Sequence, residues 1–196
     1  MIRSILLLII FTALGVLLPS FAYAHAGIGE AGSFMHGLAH PVSGMDHVCA
    51  MLAVGLWAAQ RGGRFVWAMP LTFVGMMALG GAFPTLGISL PFIEQGVVLS
   101  VLLLGILIAA PVRLSLTLAS SMVGLFALWH GHAHGAEIPA LSSGIIYALG
   151  FVLSTSLLHV IGIAFGLAMQ WLVRGCAVRF AGAGIALCGV YLAAVT

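Results

Sequence analysis

The chain has 196 residues, of which 63% are hydrophobic and only 5% charged. At a mean hydropathy of +1.26, a domain of this size cannot keep its surface in water, which excludes a soluble protein and predicts a polytopic membrane protein. The net charge of +2 comes from a handful of arginines without a single lysine; it carries no indication of nucleic acid, and the bilayer is the expected partner.

Residues 1–24 read as a secretory signal. Arg3 supplies the positive n-region, residues 5–18 the apolar run, and Ala22-Tyr23-Ala24 an A-x-A cleavage site after Pro19. That run is about 21 Å long as a helix, short of the ~30 Å hydrocarbon core, although an uncleaved anchor is the alternative. Cleavage would leave His25 at the N-terminus, where its free amine and imidazole can chelate a metal together. The remainder, 25–196, is expected to form one helical transmembrane domain.

After a Gly-rich lead, six apolar spans follow, at about 34–60, 65–83, 93–110, 114–129, 141–172 and 177–195. The fifth is too long for an upright crossing and must tilt, kink near Gly150 or project beyond the bilayer. Arg61 and Arg64, Arg113, and Arg174 and Arg179 fall between spans on one side, while Glu30, Glu94 and Glu137 fall on the other. The positive-inside rule makes the arginine side cytoplasmic and the mature N-terminus external. Glycines inside the spans let helix backbones approach closely, and Gly162-x-x-x-Gly166 is a weak dimer signal. The three cysteines, Cys49, Cys176 and Cys188, lack CxxC spacing, and no disulfide framework is visible.

Ionisable groups at membrane depth are costly and mark sites or pathways by default. The first span opens with His36, His40, Pro41, Gly44, Asp46 and His47. On a continuous helix the three imidazoles fall within roughly 40° of one another, with Asp46 about 80° to the flank. Pro41 qualifies this, since it lacks an N–H and is suited to begin a helix. Neutral imidazole and carboxylate suit a divalent first-row metal; the plainer alternative is buried histidines bonded to carbonyls. A second cluster, His130, His132, His134 and Glu137, closes the fourth span. His130 and His134 share a face if the helix persists, His132 points elsewhere, and the alternative is a solvated outer loop. Glu94 opens the third span, either as a first-turn carboxylate on the helix dipole or as part of the outer site. His159 lies deep in the fifth span, either bonded across helices or as a step below the outer groups. On this reading Asp46, His47 and His159 are nearest mid-membrane and the rest are outer. Donors at several depths are what a permeating ion requires, whereas a structural or catalytic zinc gathers its ligands in one layer.

His40-Pro-Val-Ser-Gly-Met-Asp46-His47, followed by Ala50-Met-Leu-Ala-Val-Gly55, resembles the first-helix signature of the HupE/UreJ family. His130-Gly-His-Ala-His134-Gly-Ala-Glu137 is similar to its second motif, with Trp129 where the family often has Phe. The resemblance implies a hydrogenase- or urease-accessory nickel permease of the inner membrane, not an enzyme. It implies Ni²⁺, or Co²⁺ as in some relatives, as transported substrate rather than bound cofactor, with an indirect link to metallocentre maturation proteins. By motif match it points to His40, Asp46, His47, His134 and Glu137, then to Glu94 and His130. No nucleotide-binding motif is present, so transport is expected to be facilitated or secondary. Two other classes stay open on the residues alone. One is a metal-dependent intramembrane hydrolase using Ser43 or Ser156, the other a b-haem protein with His47 and His159 bracketing an apolar slot.

Overall fold

The computed structural model describes residues 30–110, 112–138, 143–173 and 176–196. The expected signal segment, His25 and Arg174 lie outside the described residues. Those described form helices and connecting turns, without a strand: α1 (Glu30–Ser43), α2 (Met45–Arg61), α3 (Phe65–Ala82), α4 (Ile93–Ala109), α5 (Leu116–Ala136), α6 (Gly144–Val173) and α7 (Cys176–Val195).

The first apolar span is not the continuous helix that its hydropathy predicts. It breaks at Gly44, with an 81° bend between its two halves. Pro41 does not begin the second helix; it lies inside α1, where its missing N–H leaves the carbonyl of residue 37 without its helical donor. The chain then turns at Gly44, which is extended at φ −107° and ψ 130° and precedes the first turn of α2. A Cβ there would lie 2.6 Å from Asp46 Oδ1 and 3.1 Å from His47 Nδ1, so glycine makes room for the side chains that follow it.

The bend also accounts for the long fifth span. α6 runs unbroken through Gly150 for 30 residues, about 45 Å at the helical rise. α1 packs along its first half, with Gly37 against Tyr147 and Phe151 and Gly150 against Phe34 and Leu38. α2 packs along its second half, where Gly55 meets His159 and Ile163, and Gly162 meets Leu52. Gly166 of the GxxxG pair sits on Leu56 and Ala59, so this motif is used within the chain.

Two more pairs are joined in the same way. Gly80 lies on Leu128, and Gly131 and Gly135 lie on the backbone of Met77 and Gly81, joining α3 to α5. Gly105 and Gly182 face each other across α4 and α7, and Gly189 faces Leu102. The residue numbers of successive touching positions rise together in the α2–α6 and α3–α5 pairs, which are therefore parallel. They run in opposite senses in α4–α7, which is antiparallel. Cys49 of α2 and Cys188 of α7 meet at 3.5 Å between sulfurs, as free thiols, a proximity their spacing does not reveal.

Polar groups collect at the two ends of the bundle. At one end Arg61 donates to Leu114 O at 2.7 Å, Arg179 to Ala109 O at 2.8 Å and Gln60 to Ile108 O at 2.9 Å. At the other lie the described histidines other than His159, with Glu94 and Glu137. Among the described residues, Phe65–Leu86, Gly144–Leu172 and Cys176–Val195 are each long and apolar enough to cross a bilayer, and α1–α2 is a fourth if counted as one broken span. α4 is apolar but has 17 residues, and α5 carries three histidines in its last two turns.

Candidate metal centre

The site is built where the break at Gly44 meets the end of α5. That helix persists past Trp129 to Ala136, because Gly131 and Gly135 let its last turns lie directly on α3. His130 and His134, one turn apart, share a face, and His132 turns to another. All three are buried, which removes the solvated-loop alternative for this segment.

Around His134 two groups of side chains meet. Toward the end of the bundle, His40 Nε2 bonds Glu137 Oε2 at 2.9 Å, and donor atoms of His40, His134 and Glu137 all lie within 4.8 Å of one another. The side chains of His40 and Glu137 are 27% and 62% exposed, so this rim touches solvent. Further in, the His134 ring lies 4.0 Å from that of His47, which lies 4.7 Å from His130, centroid to centroid. His40 and His134 meet edge-on at 4.6 Å. Phe151 closes one wall at 4.2 Å from His134, and Phe73 the floor at 5.7 Å from His130. Met77, Gly81, Tyr147 and Phe151 line a cavity of about 470 Å³ that reaches His134 from between α3, α5 and α6.

The hydrogen bonds decide which nitrogens are free. Asp46 Oδ1 accepts from the His47 backbone N–H at 2.8 Å and from Nδ1 at 2.7 Å, which puts the ring proton on Nδ1. Nε2 of His47 is then a bare lone pair, buried without a partner among the described residues. Ser100 donates its single proton to Val97 O at 2.6 Å and therefore accepts from His130 Nε2–H at 2.8 Å. That leaves His130 Nδ1 bare, again buried and unpartnered. His134 has neither nitrogen engaged among the described residues. Imidazoles whose far nitrogen is held by an outer partner are the usual arrangement of metal-ligating histidines.

The layering differs from the sequence expectation. Sequence order puts His47 deeper than His130 and His134, whereas the bend at Gly44 sets its ring directly against both. Four of the eleven candidates stand elsewhere. His36 is exposed on α1, and Glu94 is exposed at the first turn of α4. His132 accepts from Leu90 N–H at 3.2 Å and lies 3.1 Å from Ile88 O, pinning the loop before α4. His159 lies below the cluster, beyond Phe73, at 5.1 Å from that ring.

The space between His47 and His159 is filled by His130 and Phe73, so it offers no haem slot. Ser43 and Ser156 each donate to a backbone carbonyl at 2.7 Å, which leaves neither hydroxyl set against a base. Sequence reasoning missed Ser100, Tyr147, Phe73 and Phe151. Ser100 alone had a visible signal, as the one hydroxyl in the apolar interior of α4.

A family model described as HupE / UreJ protein matches residues 12–192. The chain is 44% identical over 181 residues to Protein HupE of Rhizobium leguminosarum bv. viciae, covering 89% of this chain and 94% of that protein. No solved structure matches it.

Proposed function

The chain belongs to the HupE/UreJ family, and from that premise we propose that it is an inner-membrane permease carrying Ni²⁺ into the cytoplasm. Members of this family are accessory membrane transporters of hydrogenase and urease nickel metabolism, not enzymes. Nickel is the expected cargo rather than a resident cofactor, with Co²⁺ second because an imidazole and carboxylate site suits both. The supplied metal would serve metallocentre assembly through maturation proteins.

The observation that carries the reading is the meeting of His40, His47, His130 and His134 from three helices, with bare ring nitrogens on His47 and His130. His134 belongs both to the exposed triad with His40 and Glu137 and to the inner trio with His47 and His130. An incoming ion would replace the proton shared by His40 and Glu137, which solvent takes up at this exposed rim. It would then pass inward by exchanging ligands around His134. Many donors of moderate strength, rather than one closed site, allow an ion both to enter and to leave.

We read the bundle as six crossings with the mature N-terminus outside. Helices of equal parity are then parallel and those of opposite parity antiparallel. The parallel α2–α6 and α3–α5 pairs and the antiparallel α4–α7 pair agree with this, as does the gathering of arginines at one end. A divalent cation moving inward through 100 mV gains about 4.6 kcal/mol, from ~2.3 per charge, so the potential can drive accumulation without a nucleotide.

The test is ⁶³Ni²⁺ uptake by the full chain in proteoliposomes, with Co²⁺, Zn²⁺ and Cu²⁺ as competitors. Saturable uptake that Co²⁺ inhibits is expected. Absence of any saturable divalent-metal flux would sink the reading.

A further inference from the structure

Below the cluster, α6 carries one more imidazole. His159 is 1% exposed, and neither ring nitrogen has a hydrogen-bond partner among the described residues. An imidazole stripped of water without replacement bonds is costly, and packing alone does not require it. A leucine or phenylalanine would fill the same space without that penalty.

The surroundings of His159 offer further donors. Thr155, one turn earlier and fully buried, points its hydroxyl at Met77 Sδ at 3.7 Å. Phe73, one turn before Met77 on α3, meets His159 edge-on at 5.1 Å and His130 at 5.7 Å. One aromatic ring therefore separates the outer cluster, at its His130 side, from this deeper group. Past it lies the imidazole of His159, while the Thr155 hydroxyl and the Met77 thioether, each one turn nearer the histidine end, stand on the approach to it.

We propose that His159 is a second station for the permeating ion, reached from His130 past the Phe73 ring, with Met77 Sδ and Thr155 Oγ1 as weak donors on the approach to it. The inference rests on the metal-permease reading. A chain whose donors all lay in the outer half would hold the ion there, whereas conduction needs a further site from which release is easy. A single strong donor makes this station looser than the outer cluster, which favours onward release.

The test separates a station from a packing residue. His159→Leu is compared with the wild-type chain and with His134→Ala, reading thermal stability in detergent, Ni²⁺ binding by equilibrium dialysis and ⁶³Ni²⁺ uptake in proteoliposomes. His159→Leu should melt no lower than wild type, because an unpaired polar group has been replaced by an apolar one of similar size. It should bind Ni²⁺ within about 2-fold of wild type at the outer cluster, yet lose about 10-fold or more of its uptake rate, as expected where an ion meets few substitute partners. His159→Cys, which restores a donor, should recover part of the rate. Wild-type uptake by His159→Leu overturns the second station and leaves the permease reading standing. Lost uptake accompanied by lowered stability or weakened binding also overturns it, since His159 is then structural. A wild-type chain that neither binds nor carries Ni²⁺ overturns the permease reading, while His134→Ala reports on the outer cluster alone.

Discussion

Asp46 holds two N–H groups of His47 on one oxygen, so its effect on an ion passes through His47 Nε2. Replacing such outer partners typically costs 10–100-fold in metal affinity or activity. Asp46→Ala should therefore cut nickel uptake by about 100-fold with membrane insertion intact, while Asp46→Asn, whose amide oxygen can still accept from Nδ1–H, keeps a measurable part. Near-normal uptake by a well-expressed Asp46→Ala protein would remove the centre of the model. Ser100 acts the same way on His130. Ser100→Ala frees Nε2–H, lets the ring choose the other tautomer, and should weaken Ni²⁺ binding by about 10-fold. Ser100→Thr, which keeps the hydroxyl, should restore most of it; equal binding by Ala and Thr variants would show that the hydroxyl does not set the tautomer. Motif spacing made Asp46 and His47 legible in the sequence. The Ser100–His130 bond was not, because it depends on how α4 packs against α5, which spacing does not encode.

The apolar runs located the described helices from α3 onward to within a few residues, apart from α5, which extends seven residues beyond its expected end. What hydropathy did not carry is the break at Gly44, since glycine and proline are tolerated in membrane helices when neighbours satisfy the freed backbone. Here the two halves pack on successive stretches of α6, a tertiary arrangement with no local signature. The same argument makes the glycines along each pair unequal. A side chain at Gly131 would overlap the Met77 carbonyl, whereas one at Gly75 meets nothing within 4 Å. Gly131→Val should therefore destabilise the fold by about 1–3 kcal/mol, the usual cost of overpacking, and shift α5 with its histidines. Gly75→Ala should be neutral or gain up to about 1 kcal/mol from helix propensity. Thermal unfolding of the two variants in detergent measures both, and equal stability would mean that α3 and α5 do not meet along this seam.

At the scale of the whole molecule, the arginine end and the histidine end should face opposite sides of the membrane. With the native cysteines replaced, cysteines placed beside Arg61 and Arg113 should label only from the cytoplasm, and one near Glu137 only from outside. External labelling beside Arg113 would overturn the six-crossing arrangement. The gradient of exposure between those ends then sorts the ligands kinetically. Glu137 is 62% exposed in its side chain, so water can replace it as a partner for an arriving ion. His134 is buried between His40 and His47, where an ion that has lost water has few substitutes. Glu137→Gln should raise the nickel concentration for half-maximal uptake by roughly 10-fold, as loss of one site partner does, with the maximal rate recovered at high nickel. His134→Ala removes a ligand shared by the rim and the inner trio, so it should both raise that concentration and lower the maximal rate, without recovery. Titrating ⁶³Ni²⁺ uptake against nickel for both variants separates the two roles. If His134→Ala recovers the full rate at high nickel, His134 serves only at the mouth, and the inward route runs from the rim to His47 without it.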